Sequence, residues 1–321
     1  MRENRSPRSG DVFCLLVPCF NEDETLKVVA PVLCEKMVGL IESGAISEKS
    51  CILFVDDGST DSTWQIIEHL AQSNQMIRGL KLSRNFGHQN ALLAGMSASL
   101  QFSDVIISMD ADLQDDVNAI DKMLADYSAG SEIVYAVRSS RESDSKFKKS
   151  TAQSFYKLMN ALGASVVYNH ADFRLMSKRA VEELLKFTEV NLFLRGLVPL
   201  LGFKSSKVEY TRAKRVAGES KYPLKKMLKF AFDGVTSFSV KPLRLVTILG
   251  FLTFFCGILG TVYSVVQFFR GDTTIGWAST ICSIWLLGGV QMISLGLIGE
   301  YVGKIFSETK RRPRFIVEEL I

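Results

Sequence analysis

Short apolar runs alternate with amphipathic stretches along the N-terminal part of the chain. The apolar runs are rich in Val, Ile, Leu and Phe and predict five β-strands, at residues 12–17, 51–55, 79–82, 105–109 and 133–137. The stretches between them have helical periodicity and predict helices near residues 24–42, 61–73, 87–101 and 117–128. Strands that are apolar on both faces and are separated by helices are typical of a mostly parallel α/β sheet. Ligands bind outside the carboxyl ends of such strands.

Two uncharged stretches of 25 residues each, 245–269 and 275–299, distinguish the C-terminal part. A helix needs about 20 apolar residues to cross a hydrocarbon core of about 30 Å, so each stretch is long enough to span a bilayer with some tilt. Only residues 270–274 separate them, which predicts a two-helix transmembrane hairpin. A buried core helix is the alternative, but helices of this length without a charge are rare in soluble domains.

Basic residues flank the predicted hairpin on the side of the two chain ends. Lys241 and Arg244 precede it and five basic residues follow it, whereas the connecting turn holds only Arg270 and Asp272 as charged residues. The positive-inside rule therefore predicts a multi-pass protein of the cell membrane, with the N-terminal domain and both termini in the cytoplasm. Residues 1–11 are polar and resemble no signal peptide, and the six cysteines form no CxxC pair, so reduced thiols are expected.

The net charge of +4 is unevenly distributed. Residues 204–244 contain eleven basic and three acidic residues, so this segment carries +8 and the rest of the chain −4. A basic segment next to a membrane span is typical of contact with anionic headgroups or a phosphate-bearing ligand. A nucleic-acid surface is the alternative, but no nucleic-acid-binding motif accompanies the segment and no such partner is expected. Residues 222–238 add an apolar stripe beside lysines, which predicts an interfacial helix, with a core helix as the alternative.

Composition agrees with this division of the chain. The hydrophobic fraction of 47% is high for a soluble enzyme, and the predicted hairpin accounts for the excess. With 22% charged and 10% aromatic residues, the chain is neither disordered nor of low complexity. The predicted parts are a polar tail at 1–11, an α/β domain at 12–215, a basic amphipathic juxtamembrane segment at 216–243, two transmembrane helices within 244–300 and a basic cytoplasmic tail at 301–321.

Acidic residues follow three of the predicted strands. Residues 18–22 (PCFNE) end the first strand, 56–59 (DDGS) the second and 110–112 (DAD) the fourth. Carboxylates gathered at one sheet edge repel one another unless a cation, a base or a ribose lies between them. Asp110 and Asp112 can direct both carboxylates at one divalent cation that also binds diphosphate oxygens. Alone, such a pair more often caps or solvates a loop, but three acidic strand ends in this order favour the functional interpretation.

Two other classes of nucleotide-dependent enzyme lack support. No GxGxxG follows the first strand, and no GxxxxGK followed by Ser or Thr occurs in the chain. Glycine-rich loops of these kinds cradle the phosphates in dinucleotide-dependent dehydrogenases and in P-loop phosphotransferases. The sequence therefore favours neither class.

The motifs that precede the two predicted spans are LVPCFNE, VDDGSTDST, LSRNFGHQNALLAGM, MDADLQDD, ADFRLMSKRA, NLFLRG and AGESKYPLKKMLKFAFDGVTSFSVKPLR. This set resembles the polyprenyl-phosphate glycosyltransferases of glycosyltransferase family 2. It is similar in particular to bactoprenol glucosyltransferases, and more distantly to dolichol-phosphate mannose synthases and the transferase of the lipid A aminoarabinose pathway. The resemblance extends from about residue 12 to residue 314 and implies a GT-A nucleotide-sugar-binding domain.

The resemblance implies a role for each group of residues. The base and ribose of a nucleotide sugar would be held by Pro18, Phe20, Glu22, Asp56 and Asp57. Asp110 with Asp112 would hold Mg²⁺ or Mn²⁺ on the diphosphate, and Gln114 would meet the donor sugar or the metal shell. Asp172 matches a family carboxylate regarded as catalytic, so the implied catalytic residues are Asp112, Gln114 and Asp172. The phosphates, including that of the acceptor, would be met by Arg138, Lys148 or Lys149, Arg215, Ser220 and Lys221.

Structural roles are the alternatives for several of these residues. Residues 173–187 have a helical pattern, so Asp172 could instead cap a helix. The basic residues could be solvated or could face lipid. His69, His88 and His170 are expected to be ordinary surface or helix residues, because no second histidine lies at metal-ligand spacing.

The sequence as a whole predicts a membrane-bound inverting glycosyltransferase. The expected donor is a nucleotide sugar, with UDP-glucose first and UDP-GlcNAc or GDP-mannose open, and the expected acceptor is a polyprenyl phosphate such as undecaprenyl phosphate. Two alternatives remain: a processive polysaccharide synthase, although the chain lacks QxxRW, and a nucleotide-sugar sensor or scaffold without turnover, against which the intact carboxylates argue. A homo-oligomer is also open.

Overall fold

The computed structural model describes residues 10–138, 170–189, 193–211 and 276–321, together with single helical positions between 243 and 270. The chain divides into two compact units. The described residues of the first unit are those up to 211 together with 312–321, and those of the second lie between 243 and 311.

The described residues of the first unit form one eight-stranded sheet with helices packed against it. The strands are β1 (Phe13–Cys19), β2 (Cys51–Asp56), β3 (Ile77–Leu82), β4 (Val105–Ser108), β5 (Ile133–Arg138), β6 (His170–Ser177), β7 (Ser205–Tyr210) and β8 (Val317–Leu320). The helices are α1 (Asp23–Glu42), α2 (Thr63–Ser73), α3 (His88–Ser99), α4 (Ala119–Ser128), α5 (Lys178–Leu185) and α6 (Leu194–Leu200).

The strand order is β7-β5-β6-β4-β1-β2-β3-β8. Six strands run in one direction, and only β6 and β8 run against them. Every residue of β1 and β2 is buried, because helices cover both faces of the central sheet. The prediction of a mostly parallel α/β sheet is confirmed, and all five predicted strands and four predicted helices are present.

The prediction of a helix over residues 173–187 is wrong for its first five residues. Residues 170–177 form β6, which pairs antiparallel with both β4 and β5, and the helix begins only at Lys178. Ser177 caps that helix by accepting a hydrogen bond of 3.1 Å from the Ala180 amide. Asp172 is therefore a strand residue and not a helix cap.

The end of the chain adds a strand to the sheet edge. β8 pairs antiparallel with β3, and Ile321 and Gly79 exchange backbone hydrogen bonds of 2.9 and 3.1 Å. A Cβ on Gly79 would lie 2.7 Å from a methyl carbon of Ile67 and 3.0 Å from the Ile321 side chain, so glycine makes room for the terminal isoleucine. The predicted cytoplasmic tail at 301–321 thus includes an ordered strand.

The second unit contains α7 (Trp277–Thr309), which covers residues 277–299 of the predicted span 275–299 and continues beyond it. Large apolar side chains of α7 are exposed, among them Met292 and Ile293 at 70% each. The described positions between 243 and 270 are helical where the first span is predicted. Within the described residues, no helix is both long and apolar enough to cross a membrane. The predicted interfacial helix at 222–238 lies outside the described residues.

Candidate active site

The carboxyl ends of the parallel strands meet the start of β6 at one edge of the sheet. β6 pairs Arg174 with Ser108 of β4, so the residues before Arg174 lie beside those that follow Ser108. The Ser108 hydroxyl donates a hydrogen bond of 2.5 Å to the Asp172 carbonyl oxygen. This register brings Asp172 beside Asp110, although the two residues are far apart in the sequence.

Asp57 anchors the start of α3. Its Oδ1 accepts a hydrogen bond of 2.7 Å from the Phe86 amide, and its Oδ2 accepts one of 2.9 Å from the Gly87 amide. Gly58 has a φ of +66°, and a Cβ there would lie 2.3 Å from the Arg84 carbonyl carbon. The turn after β2 therefore packs directly on the loop before α3, and Asp57 has a structural role there beside its predicted contact with the nucleotide.

Asp56 is a buried hydrogen-bond acceptor at the end of β2. Its Oδ1 accepts a hydrogen bond of 3.2 Å from the Ser59 amide, and its Oδ2 has no hydrogen-bond partner among the described residues. Burial raises the pKa of Asp56. A buried carboxylate oxygen without a partner is costly, so a donor group on a bound nucleotide would stabilise it.

The loop after β1 lies beside these aspartates. Pro18 is buried within β1, whereas Phe20 is 44% exposed and is accessible for stacking. Asn21 has a φ of +54°, and its Oδ1 accepts a hydrogen bond of 2.9 Å from the Thr60 amide after β2. Glu22 is the residue directly before α1. Pro18, Phe20 and Glu22, the residues predicted to contact the nucleotide sugar, thus lie at or just after the carboxyl end of β1.

The loop after β4 carries the predicted metal ligands. Leu113 has a φ of +47°, a strained conformation for leucine, and it reverses the chain directly after Asp112. The backbone amide of Gln114 donates a hydrogen bond of 3.2 Å to Asp112 Oδ1, which stabilises the turn. Burial raises the pKa of Asp110, and the negative charges of Asp172 and Asp112 also raise it.

Asp110 and Asp112 fit the protein side of a magnesium or manganese site. Carboxylate oxygens are the ligands that Mg²⁺ prefers, and one or two of them commonly share the ion with substrate phosphates. A cation between the two would also relieve the repulsion that raises the pKa of Asp110. In the part of the chain that the structure describes, no three His, Cys, Asp or Glu side chains form a metal site by themselves. The other ligands would therefore come from the diphosphate and water.

Asp172 is held by two arginines. Its Oδ1 accepts a hydrogen bond of 2.7 Å from Arg174 Nη2, and its Oδ2 accepts one of 3.0 Å from Arg195 Nη2. Arg195 Nε adds a contact of 3.4 Å to Oδ1. Burial alone would raise the pKa of Asp172, but Arg195, His88 and Arg174 outweigh it and hold the pKa well below the usual range. Asp172 is therefore a poor proton acceptor near neutral pH.

His88, the first residue of α3, lies between the two acidic groups. Its Nε2 is 3.6 Å from Asp110 Oδ1 and 3.6 Å from Asp172 Oδ2. Desolvation alone would lower the pKa of His88, but the carboxylates of Asp172 and Asp110 raise it. The expectation that the histidines are ordinary surface or helix residues therefore overlooks the position of His88 within the site.

A further buried carboxyl group, that of Asp115, lies in the loop after β4. Asp115 is 3% exposed, its Oδ1 accepts a short hydrogen bond from the Tyr210 hydroxyl, and its Oδ2 has no partner among the described residues. Burial raises the pKa of Asp115 to about 6. Arg138 Nε in turn donates a hydrogen bond of 3.4 Å to the Tyr210 oxygen. Tyr210 thus links Asp115 to Arg138, the predicted phosphate ligand at the end of β5.

The structure brings together Asp110, Asp112 and Asp172, with Gln114 on the same loop. The acceptor-phosphate residues Lys148, Lys149, Arg215, Ser220 and Lys221 lie outside the described residues. The sequence analysis did not single out Arg174, Arg195, Asp115 or Tyr210. Arg174 lies in the ADFRLMSKRA motif and Arg195 in the NLFLRG motif. Their presence in motifs near Asp172 is the sequence feature that could have indicated that they bind it.

Comparison with known proteins places the chain in a family. The family described as Glycosyl transferase family 2 matches residues 14–185, more than half of the chain. The chain belongs to glycosyl transferase family 2. A second family, the GtrB C-terminal hairpin, matches residues 241–305 and indicates membrane association. Membership of this glycosyltransferase family identifies the protein as an enzyme.

Relatives are similar over almost the whole chain. An uncharacterized glycosyltransferase, YkoT, from Bacillus subtilis is 53% identical over 97% of this chain and 92% of its own. The bactoprenol glucosyl transferase of Shigella phage SfX is 38% identical over 95% of this chain and 98% of its own. Among solved structures, glucosyl-3-phosphoglycerate synthase from Mycobacterium tuberculosis is 16% identical, with a TM-score of 0.43 over 70% of this chain and 78% of that protein.

Proposed function

We propose that this family 2 enzyme transfers a sugar, glucose in the first instance, from a nucleotide sugar to a polyprenyl phosphate with inversion at the anomeric carbon. The observation that carries the proposal is the meeting of Asp110 and Asp112 with the Asp172–Arg195 pair at the carboxyl edge of the sheet. Such a site offers carboxylates for a cation and guanidinium groups for phosphates. The similarity to the relative named bactoprenol glucosyl transferase supports a polyprenyl phosphate as the molecule that accepts the sugar.

The donor is expected to bind along the loops after β1, β2 and β4. Phe20 would stack on the base, while Glu22, Asp56 and Asp57 would lie near the base and ribose. The diphosphate would extend toward Asp110 and Asp112, where a bound Mg²⁺ or Mn²⁺ would supply electrostatic stabilisation of the leaving diphosphate. Gln114 lies on the same loop and would meet the donor sugar.

A strong general base is not needed for this acceptor. A phosphate monoester has a second pKa of about 6, so it is largely ionised at neutral pH and is itself the nucleophile. The low pKa of Asp172 agrees with that chemistry, because an ionised carboxylate between two arginines orients groups better than it removes protons. The main demand on the enzyme is to hold two anionic groups together, which requires cationic side chains.

The C-terminal hairpin is proposed to anchor the site at the membrane surface. Exposed apolar side chains on α7 and the match to the GtrB C-terminal hairpin support insertion into lipid. Two spans, at about 245–269 and 275–299, would leave both termini in the cytoplasm. The basic segment at 216–243 would then lie at the headgroup level, where the phosphate of a polyprenyl lipid is found.

The direct test is sugar transfer by the purified full-length protein in lipid nanodiscs. Undecaprenyl phosphate and Mg²⁺ or Mn²⁺ are supplied with UDP-glucose, UDP-GlcNAc or GDP-mannose in parallel, and lipid products are identified by mass spectrometry. A single hexose on the lipid phosphate, with anomeric configuration opposite to that of the donor, is the expected product. Absence of lipid-linked sugar with every donor would overturn the proposal, and long sugar polymers would indicate a processive synthase instead.

A further inference from the structure

Two guanidinium groups, of Arg174 and Arg195, bind the carboxylate of Asp172. Arg174 is fully buried and binds Asp172 Oδ1 at 2.7 Å, so the two form a neutral buried pair. Arg174 Nη1 also lies 3.5 Å from the Leu194 carbonyl oxygen, which ties this pair to the start of α6. Arg195 adds a second guanidinium to the same carboxylate, with its Nη2 3.0 Å from Asp172 Oδ2.

Arg195 differs from Arg174 in its exposure. The Arg195 side chain is 33% exposed, whereas that of Arg174 is 0% exposed. Asp172 Oδ2, which binds Arg195, also lies 3.6 Å from His88 Nε2, and that nitrogen lies 3.6 Å from Asp110 Oδ1. A partly exposed guanidinium that is linked through Asp172 and His88 to a predicted metal ligand lies near the proposed position of the diphosphate.

We propose that Arg195 binds a phosphate oxygen of the reacting complex and that Asp172 is a positioning residue that acts by holding Arg195. This inference rests on the proposed transfer to a lipid phosphate. The planar fork of an arginine matches a phosphate group, and two contacts to Asp172, at 3.0 and 3.4 Å, fix the plane of this fork before substrate binds. A group fixed in advance does not have to be ordered during the reaction.

The phosphate has two sources, the donor diphosphate and the lipid monophosphate, and the experiment separates them. Arg195→Gln and Arg195→Lys are compared with wild-type full-length protein in nanodiscs. The readouts are the affinity for UDP with Mg²⁺ by calorimetry, the KM for undecaprenyl phosphate, and kcat with UDP-glucose. Arg179→Gln is the matched control, because Arg179 is an exposed arginine on the neighbouring helix α5, outside the site.

Arg195→Gln is expected to lower kcat/KM by about 30-fold or more, and Arg195→Lys to lower it less, since lysine keeps the charge but not the fork. A weakened affinity for UDP assigns the phosphate to the donor, and a raised KM for undecaprenyl phosphate assigns it to the acceptor. The control variant should match wild type. If Arg195→Gln leaves UDP affinity, KM and kcat within twofold of wild type, the inference is wrong. Inactive wild-type protein would instead refute the proposed transfer, and the UDP affinities would still test Arg195.

The positioning role of Asp172 is tested by a double-mutant cycle. Asp172→Glu keeps the charge that the buried Arg174 needs but displaces the carboxylate that holds Arg195. It should lower kcat/KM in the wild-type background and have little further effect in the Arg195→Gln background. Thermal unfolding of each variant verifies that it is folded. Losses that simply multiply in the double variant would show that Asp172 acts independently of Arg195, and this part of the inference would fail.

Discussion

Asp115 should make the stability of the protein depend on pH, and Asp115→Asn should remove that dependence. The residue is 3% exposed, and one of its carboxylate oxygens has no partner among the described residues. Its ionised form is therefore poorly compensated in the folded protein, and its pKa rises to about 6 from an ordinary value of 3.8. Asparagine keeps an oxygen that can accept the Tyr210 hydrogen bond but carries no charge.

The sign and size of the effect follow from proton linkage. Between pH 3.8 and about 6 the folded protein binds more protons at Asp115 than the unfolded chain does, so the free energy of unfolding falls as the pH rises through this window. At 1.36 kcal/mol for each pKa unit, that interval corresponds to about 3 kcal/mol. Asp115→Asn should therefore gain up to about 3 kcal/mol on wild type between pH 4 and pH 7.5.

The measurement is urea unfolding of the full-length protein in detergent with a chelator present, since a bound cation would alter the charges around Asp115. Wild type and Asp115→Asn are compared at pH 4, 5, 6 and 7.5 by intrinsic fluorescence. Asp121→Asn is the control, because Asp121 is exposed on α4 and its substitution should change stability by no more than about 0.5 kcal/mol. Parallel stability curves for wild type and Asp115→Asn over this range would refute the reasoning.

Three further predictions concern other contacts of the same unit. Removal of residues 317–321 should lower the free energy of unfolding by about 2–4 kcal/mol, because β3 loses the β8 ladder and Ile321, and urea unfolding measures the loss. Asp57→Ala should cost about 1–3 kcal/mol in the same assay, since two amides at the start of α3 lose their acceptor, and Asp57→Asn should cost less. Asp112→Asn should lower the transfer rate by about 100-fold or more and raise the Mn²⁺ concentration needed for half-maximal rate. The unfolding midpoint should not change. An unaltered Mn²⁺ dependence would contradict the role of Asp112 as a metal ligand.

The sequence predicts those strands whose hydrophobic pattern matches their burial in the folded protein. β1, β2 and β4 are apolar on both faces and end in acidic residues, so periodicity locates both the strands and the site edge. β6 is not predicted because Asp172 and Arg174 interrupt its apolar pattern. These two residues are buried because they pair with each other, which local sequence does not indicate. β8 is not predicted because its residues are exposed and are held by backbone pairing with β3. Pairing of that kind has no signature in side-chain hydrophobicity.

The Asp172 cluster shows why residue type alone does not settle a catalytic role. A motif aspartate near a sugar donor is a natural candidate for a base, and the sequence leaves that assignment open. The structure shows two arginines and His88 around the carboxylate, each of which favours its ionised form, so its affinity for a proton is low. An acceptor that arrives already ionised does not need a strong base, whereas its approach to a diphosphate requires positive charge held in place. The same arrangement that makes Asp172 a weak base is the one that supplies this charge, through Arg195.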